Sequence, residues 1–328
     1  MIATITLNPS LDEYIMVDGL VVDETNRWIR RRRYAGGKGI DVSRAVNEMG
    51  GETTAYGFIG GPNGRLLEIL LDEEGVIFQF TPIKQETRTN FIISDIKTKH
   101  QTLIGAPGPR ISKRELERFS RKLNEIKPSP DILVVGGSVP PGAPDNIYYD
   151  IIINAKNRGI RTILDVSDQW LIEGVKAKPY LIKPNVHEAE QLLGRKLPNE
   201  ETIVEAALEI LKMGIEIVVI SRGKDGIIAA SKNHLYTAVP PLVKVRSTVG
   251  AGDCTVAGLA LRLAHNEPLI EACRLAVAMG AAAVLTPGTE LCRRADVERL
   301  LPRVEVRRFQ VKGGKSHFLL SEGRRERA

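Results

Sequence analysis

Seven residues, Ser247-Thr248-Val249-Gly250-Ala251-Gly252-Asp253, stand directly before a run that reads as helix, Cys254 to Ala264. The first backbone N–H groups of a helix have no partner inside it, and the helix dipole makes that end positive. Gly250, Ala251 and Gly252 are small enough for a phosphate to approach those donors. Asp253 then stands beside the phosphate, where a base would take the proton of an attacking hydroxyl. An anion cradle next to a base predicts phosphoryl transfer to an alcohol. The plain alternative is that Asp253 only caps the helix, and the segment taken alone favours the cap.

Two further clusters suit the same chemistry. Gly36-Gly37-Lys38-Gly39 opens a helical run that carries Asp41 and Arg44. Glycines there allow positive φ and close backbone approach to a ligand, and Lys38 could meet a phosphate. Lys183-Pro184-Asn185-Val186-His187-Glu188 ends a strand and starts a helix. Asn185 and Glu188 share a face, and their oxygens suit Mg²⁺ through water. A capping box between the same two side chains explains them equally well. Three near-motifs fail. Gly314-Lys315-Ser316 would need Gly where Phe309 stands to complete a P-loop, and Gly250-x-Gly252 would need Gly in place of Thr255 for a dinucleotide fingerprint. The glycines of Gly57–Gly64 are also wrongly spaced.

The elements that would carry these residues alternate. Strand-like segments at Ala3–Leu7, Thr53–Phe58, Ile132–Gly136, Arg161–Asp165, Tyr180–Lys183 and Ile217–Ser221 are separated by helical patterns. That order predicts an α/β fold with a mostly parallel sheet covered on both faces, and ligands outside the carboxyl ends of its strands. Residues 13–34 and 87–104 break the rhythm with strand-like patterns of their own. They are expected to form a small sheet over the site, as a lid that excludes water and as a homodimer surface. After Phe309 the pattern fades, and the tail 310–328, at net +3, is expected to be without fixed structure.

Composition sets outer limits. The 328 residues are 43% hydrophobic and 26% charged, enough for a large core. No apolar run approaches the ~20 residues that cross a bilayer, and the alternating start Met1–Leu7 does not read as a signal peptide. Three cysteines, at 254, 273 and 292, give no disulfide framework, so the cytoplasm is the expected compartment. The net charge of +6 suits an anionic substrate. With only 5% aromatic residues, stacking platforms for nucleic acid are not expected. The run Arg30–Arg33 reads as solvated or as a subunit edge.

In combination these motifs resemble the PfkB (ribokinase-like) carbohydrate kinases, over about residues 1–309. Gly36–Gly39 looks like the family's N-terminal signature, Ser247–Asp253 like its C-terminal signature, and Lys183–Glu188 like its NxxE motif. Leu7–Asp12, Thr87–Asn90, Gly137–Gly142 and Gly288–Cys292 are similar to the phosphosugar branch, which holds 1-phosphofructokinase, tagatose-6-phosphate kinase and the minor bacterial 6-phosphofructokinase. Gly288–Cys292 looks most like the last of these. The resemblance implies a three-layer ribokinase-like fold with a β-sheet lid, and the cofactors ATP and Mg²⁺.

The resemblance also implies roles. Asp253 would be the base, with Gly250, Ala251 and Gly252 holding the phosphoryl group. Asn185 and Glu188 would organise Mg²⁺, with Lys183, Ser221, Gly223 and Gly226 on the nucleotide side. Asp12, Gly36 and Gly37 would hold sugar hydroxyls. Arg88, Lys38 and Arg27 would bind the phosphate already on the sugar, with Ser138 on the same side. One position departs: where the family usually has Asn, this chain has Asp41, which when ionised only accepts hydrogen bonds. The expected activity is phosphorylation of fructose 6-phosphate, with fructose 1-phosphate and tagatose 6-phosphate as close alternatives. From another class, a sugar-phosphate sensor without catalysis would bind ligand but release no ADP.

Overall fold

The middle strands are too apolar on both faces for any arrangement but a sheet covered on both sides. In the computed structural model, which describes residues 1–312 and 317–320, that sheet has twelve strands. From one edge it runs β5 (Ile77–Phe78), β4 (Thr53–Ile59), β1 (Ile2–Thr6), β9 (Ile132–Gly136), β10 (Arg161–Asp165), β11 (Leu181–Ile182) and β12 (Ile217–Ser221), all parallel. The short β6 (Thr81–Pro82) also pairs with β4. Beyond β12 the sheet turns antiparallel through β13 (Ile227–Ser231), β14 (Leu235–Val239), β15 (Glu305–Lys312) and β16 (His317–Leu320).

Strand alternation divides the core. In β9, Leu133 and Val135 join one apolar cluster while Ile132 and Val134 join the other. Helices Lys113–Asn124, Ile147–Asn157, Asp168–Val175 and Glu200–Leu211 close the first face. Helices Lys38–Glu48, Ala251–Ala264, Leu269–Ala283 and Arg294–Leu300 close the second. The three-layer α/β/α architecture is the one expected, with its strand ends and loops gathered at one side of the sheet.

The two irregular stretches do form a separate sheet, in the order β3 (Arg30–Gly36), β2 (Ser10–Val17), β7 (Arg88–Asp95), β8 (Gln101–Ile104). Its bounds differ from the expected ones. Strand β2 begins at Ser10, three residues after the core strand β1 has passed, and residues 18–29 turn back without strand structure. That return is pinned by Asp95, whose carboxylate accepts from the N–H groups of Gly19 and Leu20 at 3.0 Å each and of Lys97 at 2.9 Å. Those bonds hold the Asp95 carboxyl down at about 2. Tyr14, Tyr34 and Ile92 make a small core beneath the lid, and Val249 of the cradle segment packs against it. Of the arginine run, Arg31 and Arg33 both bind Glu13, and Arg32 pairs with Glu290.

One expectation fails in part. The tail does not lose its pattern at residue 310, because β15 continues to Lys312 and pairs with β16 from Phe309↔Leu320 to Lys312↔His317. Val311, Phe318, Leu319 and Leu320 supply strand-forming side chains that a reading focused on charge passes over. Residues 313–316 and 321–328 of that tail lie outside the described residues.

The helix that begins at the cradle is seated by a close helix–helix contact. A Cβ on Gly258 would lie 2.6 Å from Cα of Ala276 in the neighbouring helix. Gly258→Val is therefore expected to destabilise the fold by about 1–3 kcal/mol through overpacking. A thermal melt checks this, and an unchanged midpoint would show that the two helices part freely.

Candidate active site

Helix Ala251–Ala264 is capped by Gly250, at φ 79°, with no side chain satisfying its first N–H groups. Asp253 therefore lies in the first turn and not at the cap position. Its carboxylate takes no hydrogen bond from any described residue. The capping alternative is excluded, and the first-turn donors stay open to an anion. Burial raises the Asp253 carboxyl to about 6, with Asp165 and Asp12 adding repulsion and Lys38 and Lys183 opposing it. A carboxylate poised there can accept a proton near neutral pH.

On one side of the cradle is a cavity of about 370 Å³. Ser221, Gly223 and Gly226 line it together with Thr248, Ala251 and Gly252, and its far wall is apolar: Ile227, Val243, Val277. Gly226, at φ 79°, lets the chain turn against Ala238 where a Cβ would collide with backbone. The volume and the apolar wall suit a planar base, and the glycine end suits phosphates. Asn185 and Glu188 sit across the turn and do form the capping box: Asn185 N–H to Glu188 Oε2 is 2.8 Å, Glu188 N–H to Asn185 Oδ1 is 2.9 Å. Glu188 keeps Oε1 without a partner among the described residues, and Lys38 lies within its field. A hard carboxylate oxygen of this kind fits Mg²⁺ held through water, as an ion carried by phosphates would be. Among the described residues no cluster of three or more His, Cys, Asp or Glu side chains could cage a metal directly.

On the other side, Asp12 projects from the lid strand β2. Its Oδ1 accepts from Ser10 Oγ at 2.7 Å and Asn90 Nδ2 at 3.0 Å, which leaves Oδ2 open. Burial raises its carboxyl despite those bonds and the nearby Arg88 and Arg44. Gly36 has no Cβ because one there would overlap this carboxylate, and Gly37, at φ 122°, begins the helix Lys38–Glu48. Arg88 donates to Ala106 O at 2.7 Å and Asn8 O at 2.9 Å, while its Nε is buried without a partner. Ser138 Oγ accepts from Asn8 Nδ2 at 3.1 Å. Arg88, Ser138 and Asp12 thus share one neighbourhood. Arg27 does not join it. It is exposed on the return between β2 and β3 and has no ion pair or hydrogen bond with a described residue.

Lys38, expected with Arg88 at a sugar phosphate, has its Nζ 3.2 Å from Asp165 Oδ1, and its other charged neighbours are Asp253 and Glu188. Lys183 Nζ reaches the same Asp165 oxygen at 3.3 Å. The reason is positional: Lys38 is the first residue of its helix and β10 ends directly below it, at Asp165. Asp165 itself went unnoticed in the sequence. It is the last residue of a central parallel strand, and applying the carboxyl-end rule strand by strand would have found it.

Asp41 is buried and paired. Its Oδ1 accepts from Arg44 Nη1 at 3.1 Å, and its Oδ2 takes no hydrogen bond from a described residue. Arg44 also donates to Ala35 O and Thr289 O at 3.1 Å each and to both Glu74 oxygens at 2.6 and 2.8 Å. Burial pushes the Asp41 carboxyl well up; Arg44 opposes this, and Asp253 and Asp12 add to it.

Residues 5–296 match the model of the pfkB family carbohydrate kinases. The 1-phosphofructokinase of Bacillus subtilis (strain 168) is 35% identical over 309 residues, which span 94% of this chain and 100% of that protein. The tagatose-6-phosphate kinase of Staphylococcus epidermidis is also 35% identical over 309 residues, 93% of this chain and 99% of that one. Among solved structures, phosphofructokinase-2 from Escherichia coli in complex with potassium is similar at a TM-score of 0.88 and 34% identity, over 92% of this chain and 98% of that one.

The Asp41–Arg44–Glu74 network carries its own prediction. Arg44→Met strands a buried carboxylate and should cost about 3–5 kcal/mol. Adding Asp41→Asn should recover part of that loss. A denaturant-unfolding cycle of the four proteins checks it; a double-variant loss equal to the sum of the two single losses would mean that Asp41 and Arg44 are not coupled.

Proposed function

The chain belongs to the PfkB family of carbohydrate kinases, and within it we propose that this protein moves the γ-phosphoryl group of ATP to a hydroxyl of a phosphorylated ketohexose. The observation that carries this reading is the open Asp253 carboxylate. It lies between a nucleotide-sized cavity and the Asp12–Arg88 neighbourhood, in the first turn of a helix that no side chain caps. In this mechanism the sugar hydroxyl, oriented by Asp12 and the Gly36–Gly37 backbone, attacks the γ-phosphorus in line with the leaving oxygen. Its proton passes to Asp253, and the bond to the β–γ bridging oxygen breaks with its electron pair leaving on ADP. Gly250, Ala251 and Gly252 hold the phosphoryl oxygens on backbone N–H groups. Mg²⁺, when bound, neutralises phosphate charge, with Glu188 as its anchor and Asn185 fixing that carboxylate. Arg88 supplies a guanidinium charge for the phosphate already on the sugar, with Ser138 beside it.

Fructose 6-phosphate is our first choice of acceptor, on the strength of the Gly288–Cys292 segment. The names of the relatives support fructose 1-phosphate and tagatose 6-phosphate as competitors. We also propose a cytoplasmic homodimer through the lid. Trp28, Ile29, Phe91, Leu103 and Ile104 are exposed apolar side chains on or beside that sheet, a patch of the kind that marks an interface. Among the described residues no helix is long and apolar enough to cross a membrane.

An ADP-release panel with the three sugar phosphates and their unphosphorylated sugars tests the reading, and kcat/KM ranks the acceptors. Asp253→Asn should lose at least about 10²-fold in kcat, at the scale of general-base catalysis, while nucleotide affinity persists. In the wild type, kcat/KM should fall as pH drops through about 6, because the raised Asp253 carboxyl then takes up a proton and cannot act as base. Retained kcat in the variant would remove Asp253 from the mechanism. Binding of sugar phosphate without any ADP release would favour the sensor. Phe91→Arg should shift the sedimentation coefficient to that of a monomer; an unshifted dimer would place the interface elsewhere.

A further inference from the structure

Asp165 closes β10 at the carboxyl end of the sheet, and its side chain is 2% exposed. A single oxygen, Oδ1, meets Nζ of Lys38 at 3.2 Å and Nζ of Lys183 at 3.3 Å. The other oxygen, Oδ2, is buried with no hydrogen-bond partner. An unpartnered buried acceptor is costly, so the carboxylate is not arranged for its own satisfaction. Drawing two ammonium groups to one point is costly as well, since they repel. Lys183 is 5% exposed and has little choice, but the Lys38 side chain is 35% exposed and has water within reach. Both lysines nevertheless converge, from the start of a helix and from the end of β11. The convergence faces the cradle: a Cβ on Gly252 would stand 3.7 Å from Lys183 Nζ, and after Asp165 the carboxylate that acts most strongly on Lys38 is Asp253.

We propose that Asp165 is a positioning residue for phosphoryl transfer: through one oxygen it holds the Lys38 and Lys183 ammonium groups at the mouth of the Gly250–Asp253 cradle. There the trio presents a net single positive charge to the oxygens of the phosphoryl group in transit. Fixed cations at that point stabilise charge that spreads over those oxygens as the bond to ADP breaks. The inference rests on the kinase reading above and adds to it the group that sets the two lysines.

The test uses Asp165→Asn and Lys38→Met in the full chain. Both should lower kcat by about 10²-fold, the scale of losing one preorganised charge-stabilising donor. The KM for the sugar phosphate should stay within about threefold, because the cations act in the transition state. The acid limb of kcat/KM separates positioning from mere proximity. Asp253 is faced by Lys38 from its helix, Lys183 from the end of β11, Asp165 from β10, Asp12 from β2, and Asp41. If Asp165 holds the lysines, Asp165→Asn releases both cations and the limb moves to higher pH, as in Lys38→Met. If the lysines stay in place without it, only its repulsion is lost and the limb moves to lower pH, which overturns the proposal. Circular dichroism and affinity for a non-hydrolysable ATP analogue check folding. Should Asp165→Asn fail to fold, Lys38→Met decides, and a kcat within threefold of wild type overturns the role. A wild-type protein that phosphorylates no sugar phosphate would instead remove the kinase reading itself.

Discussion

The guanidinium of Arg44 is the point through which the parts of this molecule are tied. It is buried, fully charged and nearly saturated with acceptors. It joins the end of the lid strand at Ala35, the loop at Thr289, the helix end at Glu74 and the neighbouring Asp41. A planar fork with five donors can satisfy such a scattered set, and a lysine cannot. Because a buried charge tolerates little displacement once its partners are fixed, the lid, the glycine turn and the segment beside the cradle are held in one register. The ring of Tyr34 lies 5.9 Å from the same guanidinium and adds a lid contact to it.

Around this tie the site is built from opposed charges. Asp12, Asp41 and Asp253 all have raised carboxyl groups, each for burial first, and Asp41 and Asp253 partly because the carboxylates repel. Each leaves an oxygen that no described residue satisfies, and such oxygens are what sugar hydroxyls seek as acceptors. The cations stand outside this group: Arg88 at one end, Lys38 and Lys183 at the other. This distribution of charge is the one the proposed reaction would use, with sugar hydroxyls among the carboxylates and phosphates at the two ends.

Much of this was legible in the sequence because it depended on local rules. The cradle, the glycine turn and the Asn185–Glu188 pair each lie within seven residues, and the parallel strands announced themselves by apolar runs. The antiparallel half of the sheet was less visible, since β13 and β14 are short and lie between irregular turns. The capping box at Asn185 could be proposed but not decided, because capping and ion binding ask for the same oxygens. What local pattern could not supply was which distant charges meet. Lys38 and Asp165 are 127 residues apart, and their pairing follows only from a helix start and a strand end being stacked by the fold. Arg44 presented the same difficulty, as its partners come from four segments: the strand at Ala35, its own helix at Asp41, the helix end at Glu74 and the loop at Thr289. The continuation of β15 to Lys312 was hidden because a single apolar residue, Val311, stands between Gln310 and Lys312.

Asp12 stands on β2, and β2 follows the core strand β1 after only Leu7, Asn8 and Pro9. Asp12 is thus part of the cover, while Asp253 belongs to the floor. In the proposed reaction the acceptor would therefore bridge cover and floor. A water molecule has no second hydroxyl with which to grip Asp12 while reaching Asp253. Discrimination of sugar against solvent would then follow from the three residues, Leu7 to Pro9, that fix how far the cover stands from the floor.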